Sequence, residues 1–313
     1  MKKALVAGAS GGMGYAIVEE LNKQGIETIA FARTKEKLDA LFSAMPHVEV
    51  RAGDVFRLDD LLQAAEGADV IYHAVNIPYP MWQSHLERMT RNIIETAASQ
   101  HCRLAIADNI YAYGQGHEGR INEKAPKQPH TKKGRLRLQA EELISRSGIP
   151  AVRAHFPDFY GPNAISTVMH STLKNGIQNK RAVYVGDMSK QREFIYTPDG
   201  AKALIELSRH ETAYGRCWNI PGAGTISGHE LRTLLEEITG HSHSFFQVNK
   251  GMIRLLSLFN KEMKEVVEMM YLYEQPVILS GEAYEKEIGP LPQTPYDQGL
   301  KKTIQFMKKA ESL

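Results

Sequence analysis

Four glycines, Gly8, Gly11, Gly12 and Gly14, are the residues whose spacing asks most plainly for a chemical partner. They lie in GASGGMG, between an apolar run at residues 4–7 and a segment in which Ile17, Val18 and Leu21 share one helical face. A diphosphate can rest on the amides that open a helix only where the chain leaves the strand sharply and no Cβ holds the phosphates away. Gly8, Gly11 and Gly14 have the spacing GxxGxxG, and Ser10, Gly12 and Met13 complete the expected cradle. Taken alone, such a cluster could also be an ordinary turn. The next strand, residues 27–31, ends in Ala32-Arg33-Thr34 with Lys37 beyond. A carboxylate near this point would take the ribose hydroxyls of NAD, and none stands there. Arg33 offers a planar cation for a 2′-phosphate, Thr34 a hydroxyl and Lys37 a second charge, so the reading favours NADP, with NAD as the other candidate. The bland alternative is that residues 33–37 are the solvated face of a helix.

Elements that would position these groups follow in order. The pattern predicts helix over 35–44, strand over 47–51, helix over 59–65, strand over 70–73, a long helix over 81–100 and strand over 104–107. Asp54, just past the third strand, is placed to accept from an adenine amino group, with Val55 along the ring, and Ala74 and Asn76 follow the fourth strand where a nicotinamide half would pass. Short βα repeats of this kind predict an α/β fold, a doubly wound, Rossmann-like parallel sheet whose ligands bind beyond the strands' carboxyl ends. After Pro162 the alternation loosens. Helix is expected over 163–177, strands over 181–185 and 193–196, a helix over 201–210 capped by Asp199, then helix over 230–239 and strand over 244–248. The expected organisation is a dinucleotide-binding core over 1–162, to which 190–222 returns, and a smaller carboxyl-terminal substrate-binding region from 163–189 and 223–313. Within that region residues 252–273 carry more apolar side chains than one helix face needs, fitting core, a greasy pocket or a subunit contact. Residues 114–129, rich in Gly and Pro, are expected as a flexible loop beside the active cleft.

A chain of 313 residues can bury a large core. With 38 basic against 36 acidic residues, its formal charge of +2 argues against nucleic acid or another polyanionic partner. Cys102 and Cys217 fit neither a disulfide framework nor a thiolate metal site. His117, His130 and His155 are scattered and no HExxH occurs, so no metal is implied. His73 could be a hydrogen-bonded strand-end histidine. No signal-peptide pattern and no spanning segment is evident, and a cytoplasmic protein with no membrane partner is expected.

Further motifs widen the picture: Gly53-Asp54, the run Asp108-Asn109-Ile110-Tyr111-Ala112-Tyr113-Gly114, Arg153 with Asp158-Phe159-Tyr160-Gly161-Pro162, Arg192-Glu193-Phe194-Ile195-Tyr196 before Asp199-Gly200-Ala201, and Pro292-Gln293-Thr294-Pro295. In this order, and over nearly the whole length, the chain resembles the extended short-chain dehydrogenases, the NAD(P)-dependent epimerase/dehydratase family. The resemblance implies a small-molecule substrate, a possible homodimer, and cofactor contacts that also include Pro157 and Arg137.

The resemblance further implies a tyrosine and, four residues later, a lysine that lowers the phenol's pKa while hydride moves at the nicotinamide. With Glu141 as anchor, those positions hold Lys133 and Arg137, and the family's serine position holds Asn109. No tyrosine occurs between Gly114 and Phe159, so no shift of register restores the usual pair. Asn109, Tyr111, Lys133 and Arg137 are therefore the expected catalytic set: Tyr111 or Lys133 to protonate or orient the substrate, Asn109 to bind its oxygen, Arg137 to reach ribose hydroxyls. Against this, Tyr111 could be a packing aromatic, Lys133 a solvated lysine at a helix start, and Asp108 a ligand for loop amides. Arg192 is a candidate contact near the sheet edge. Two classes remain: an atypical oxidoreductase or isomerase acting on a small carbonyl or sugar-like compound, and a catalytically silent dinucleotide-binding sensor or regulator.

Overall fold

The computed structural model describes residues 1–311, with Lys261, Glu262 and Glu311 described in backbone only. In chain order it runs β1 (Lys3–Ala7), α1 (Gly12–Lys23), β2 (Glu27–Ala32), α2 (Lys35–Phe42), β3 (Val48–Ala52), α3 (Leu58–Ala64), β4 (Val70–His73), α4 (Trp82–Ser99) and β5 (Arg103–Asn109). A short β6 (Arg120–Ile121) precedes α5 (Lys132–Arg146), β7 (Ala151–Phe156), β8 (Asp158–Tyr160), α6 (Val168–Ile177), β9 (Ala182–Val185), β10 (Arg192–Tyr196), α7 (Thr197–Arg209) and β11 (Cys217–Asn219). The remainder is β12 (Thr225–Ile226), α8 (Gly228–Thr239), β13 (Phe245–Val248), α9 (Lys250–Leu256), α10 (Lys261–Val267), α11 (Tyr271–Glu274), β14 (Ile278–Leu279), α12 (Glu282–Glu287) and α13 (Tyr296–Glu311).

Seven strands form one sheet in the order β11-β7-β5-β4-β1-β2-β3, and every pairing in it is parallel. Parallel pairing needs crossovers, and their helices cover both faces. On one face Ile17, Val18 and Leu21 of α1 meet Leu204 and Leu207 of α7, and on the other Leu61, Trp82, Met89, Ile93 and Ile144 pack together. Strand order reverses between β1 and β4, so their carboxyl ends open a crevice at the switch point. The doubly wound α/β reading is borne out, and the elements up to residue 109 fall within a few residues of their expected bounds.

Beyond it, several expectations are corrected. Residues 161–167 are loop, and α6 begins only at Val168, because Asn163 adopts a left-handed φ of 56° and its amide donates to the carbonyl of Ser10 at 3.1 Å. Asp199 caps nothing: α7 starts at Thr197, and the carboxylate accepts from the Thr294 amide (2.6 Å) and hydroxyl (2.9 Å), fixing the segment before α13. Residues 114–129 are not merely a loop at the cleft: β6 pairs with β14, and Lys127 reaches Glu141 of α5. The apolar stretch divides. Ile253, Met269, Met270, Tyr271, Leu272 and Tyr273 join a core with Ile110 and Ile121, whereas Leu255, Leu256, Leu258 and Phe259 are exposed. Among the described residues no helix is long and apolar enough to cross a membrane.

Candidate active site

The turn after β1 is built for close approach. Gly8 has φ 87°, and a Cβ there would lie 2.7 Å from the backbone of Ala74 and Val75 after β4. A Cβ at Gly14 would stand 2.1 Å from the Gly8 carbonyl, so only glycine lets α1 start hard against the strand. Gly11 is the N-cap of α1 without a side-chain hydrogen bond, and no acidic residue sits in the first turn. The leading amides and the positive end of the helix dipole are thus left for an external acceptor.

From here a cleft of about 510 Å³ follows the strands' carboxyl ends. Past β2 and β3 it is lined by Arg33, Thr34, Lys37, Asp54 and Val55; at β1 by Gly8, Ser10, Gly11, Gly12 and Met13; and past β4 by Ala74 and Asn76. At the end of β5 come Asn109 and Tyr111, from α5 Arg137, and past β7 Pro157. Gly14 lies behind the wall, where it acts through packing. Arg33 is exposed and forms no ion pair among the described residues. Asp54 accepts from the Phe56 amide at 3.0 Å, which orients its carboxylate.

At the far end, Asn109 Oδ1 accepts from the Tyr111 amide at 3.0 Å, which orients the side chain and leaves its amide free to donate. Asp108 accepts from the Asn109 amide (2.8 Å) and faces Arg137 at 3.4 Å, combining the expected loop contact with a charge partner. Arg137 lines the cleft and stacks over the Trp82 ring, 4.5 Å from its centroid, while its Nε is buried without a hydrogen-bond partner. Tyr111 stacks on the same indole and its hydroxyl lies 2.8 Å from that of Tyr79. Burial raises the pKa of Tyr79 and holds that of Tyr111 well above the usual phenol range. Both phenols therefore keep their protons near neutrality and serve as donors. His73 is pushed down to about 3 by burial and by Arg137, and its Nδ1 receives the Val75 amide at 3.4 Å.

Lys133 is placed differently from its three companions. It does not line the cleft, and it is not a solvated helix-start lysine either: its side chain is 1% exposed, its ammonium lies 2.6 Å from both Glu265 and Glu268, and it sits over the Tyr79 ring. Arg192 also stays out of the cleft, paired with Asp158 at 2.7 Å and stacked on Tyr273. Tyr79, which the sequence did not single out, completes the wall together with Asp158 of the 158–162 motif, Tyr273 of the apolar stretch, and residues 163–169, the loop and first turn of α6. Tyr79 follows the Ala74–Asn76 stretch closely enough to have been suspected, and Tyr273 comes from the apolar stretch for which a greasy pocket is one of the expectations.

Residues 4–220 match the NAD dependent epimerase/dehydratase family. The chain belongs to that family. Membership makes it an enzyme of the oxidoreductase or epimerase type. Among curated relatives, the uncharacterized UDP-glucose epimerase YtcB of Bacillus subtilis is 28% identical over 261 residues, 76% of this chain and 82% of that protein. Two solved structures are similar in fold. A dTDP-glucose 4,6-dehydratase from Bacillus anthracis in complex with NAD has a TM-score of 0.82 at 18% identity, covering 100% of this chain and 98% of that one. A UDP-glucuronic acid 4-epimerase from Bacillus cereus, in complex with UDP-glucuronic acid and NAD, has a TM-score of 0.79 at 18% identity, covering 98% and 99%.

Proposed function

We propose that this family member is an NADP-preferring oxidoreductase or isomerase acting on a sugar-like or small carbonyl substrate, with a sugar nucleotide as the first class to test. The observation that carries the reading is the continuity of one cleft from the unpaired Arg33 and Lys37, past the uncapped amides of α1, to the Tyr79–Tyr111 pair. The glycine turn fits a dinucleotide diphosphate because a Cβ at Gly8 or Gly14 would collide with backbone. Arg33, Thr34 and Lys37 would hold the 2′-phosphate, Asp54 and Val55 the adenine, and Ala74, Asn76, Arg137 and Pro157 the nicotinamide half. The similar structures carry NAD in their names, so the preference rests on this chain's own cations. A sugar nucleotide is favoured by the names of the relatives and by a far wall that offers hydroxyls and amides.

The dinucleotide would supply hydride transfer, and the chain's own residues handle the proton. Tyr111, kept protonated by burial, donates to the substrate oxygen; Tyr79, 2.8 Å away, sets the direction of that hydroxyl and can pass a proton to it. The free amide of Asn109 steadies the same oxygen. Lys133 holds the 265–268 segment and takes no part in proton transfer. Screening sugar nucleotides and small carbonyls for cofactor-linked turnover tests this: Tyr111→Phe is expected to lower kcat by roughly 10²–10⁴-fold without loss of cofactor binding. An unchanged kcat in Tyr111→Phe would overturn the assignment. Tight cofactor binding with no turnover across the screen would favour a sensor.

A further inference from the structure

Away from the cleft, four side chains from four segments close on one point. His155 of β7 and Cys217 of β11 project from the same face of the sheet, since Arg153 pairs with Cys217 and His155 with Asn219 in parallel register. Glu141 of α5 packs over them, and the donor atoms of Glu141, His155 and Cys217 all lie within 4.8 Å of one another. His155 Nε2 stands 3.1 Å from one Glu141 oxygen, and Cys217 Sγ 3.8 Å from the other. Lys127 sits at their centre. Its ammonium is bonded to Glu141 and lies 3.4 Å from both His155 Nε2 and Cys217 Sγ, one proton for each neighbour.

The surroundings of the histidine bear on its tautomer. Asn219 donates its amide to the Ile121 carbonyl at 3.0 Å, which fixes its oxygen toward Tyr113, and the Tyr113 hydroxyl gives its single proton to that oxygen at 2.7 Å. At 3.3 Å from His155 Nδ1, the same hydroxyl can then only accept, as does the Glu141 oxygen 3.1 Å from Nε2, so the proton of a neutral ring has an acceptor on either side, and with that proton on Nδ1 the Nε2 lone pair faces the cluster. An imidazole lone pair, a carboxylate and a thiol around one cation, with the imidazole oriented from behind by a hydrogen bond, is the donor set and outer support of a zinc site.

We infer that Glu141, His155 and Cys217 form a binding site for a zinc-class divalent cation, in which Lys127 is a built-in competitor that occupies the cation position when metal is absent. On binding, Cys217 gives its thiol proton to solvent, Lys127 leaves as an ammonium ion, and the carboxylate, Nε2 and thiolate take the metal. Charge balances in both states: one carboxylate with one ammonium before, one carboxylate and one thiolate with a divalent cation after. Cys217 is only half-buried, which gives the ion a way in. Displacement of Lys127 would remove the tie between residue 127 and Glu141 of α5. Along the chain these residues lie at 127, 141, 155 and 217, so no metal-binding spacing announces them and only the sheet register assembles them. The inference is independent of the reaction proposed above.

Zinc chloride titrated into the full-length protein, in competition with a chromophoric chelator, is expected to show one high-affinity site per chain. Cys217→Ser is expected to weaken it by roughly tenfold or more, and Lys127→Met to tighten it, with far-UV circular dichroism confirming that each variant is folded. Cobalt is expected to give a thiolate charge-transfer band in the wild type that Cys217→Ser lacks, and zinc to speed tryptic cutting after Lys127. The pair of exposed His241 and buried His243, with ring centroids 4.4 Å apart, is the control for binding at other histidines. No stoichiometric binding, or binding that His241→Ala/His243→Ala removes and Cys217→Ser leaves intact, would overturn the site.

Discussion

Replacing Lys133 by methionine separates a structural lysine from a catalytic one. The ammonium is almost fully enclosed and is the shared partner of Glu265 and Glu268 at 2.6 Å each, while those carboxylates are 28% and 27% exposed. Breaking a buried ion pair by removing one partner costs about 3–5 kcal/mol, because the other charge is left behind. Here the two acids reach water and Glu268 keeps the Lys132 amide at 2.9 Å, so the cost falls to about 2 kcal/mol. That is a factor of roughly 30 in an opening equilibrium. Because the Lys133–Glu265 contact ties α10 to α5 and Glu268 lies just beyond α10, the change is expected to appear locally, as faster amide hydrogen exchange in residues 261–274, read by mass spectrometry. Adding Glu265→Gln and Glu268→Gln is expected to restore much of the protection by removing the like-charge pair. Unchanged exchange in 261–274, together with abolished turnover once a substrate is found, would refute this reasoning and return Lys133 to the chemistry.

Other perturbations follow from the same contacts. Arg33→Ala is expected to weaken NADPH about tenfold and to leave NADH unchanged, the loss of one charge-assisted contact at an exposed site, measured by fluorescence titration. Gly14→Ala puts a methyl 2.1 Å from the Gly8 carbonyl, and is expected to lower the denaturation midpoint and abolish binding of both dinucleotides. Glu193 is pushed up to about 8 by burial, an effect the Leu279 amide and Arg120 offset only in part. Its folded pKa lies above the unfolded value, so its contribution to stability is full below about pH 4.5 and is lost as pH rises toward 8. Urea denaturation from pH 5 to 9 is expected to show that decline, and Glu193→Gln to flatten it; a decline of the same slope in the variant would assign it elsewhere.

What could be read from the sequence was local. The glycine turn, the βα alternation and the cations after β2 are each set by neighbours a few residues away, and all reappear in the structure at the carboxyl ends of the strands. What could not be read depends on distant partners. Residues 163–167 are pulled out of helix by packing on the turn, where a Cβ at Gly12 would meet Ala164 at 2.7 Å. Asp199 looks like a cap until Thr294, 95 positions later, takes its oxygens. Lys133 reads as a solvated or catalytic lysine until Glu265 and Glu268, more than 130 residues on, enclose it. Tyr79 lines the cleft just after the Ala74–Asn76 stretch, but its pairing with Tyr111, 32 residues on, is one that sequence spacing does not encode.

The most direct test of the central claim is a fluorescence titration of the full-length protein with NADPH and, separately, with NADH, with no substrate present. The account predicts saturable binding of both with NADPH tighter by about tenfold or more, the value of the Arg33 contact. Tighter binding of NADH, or binding of neither dinucleotide, would contradict it.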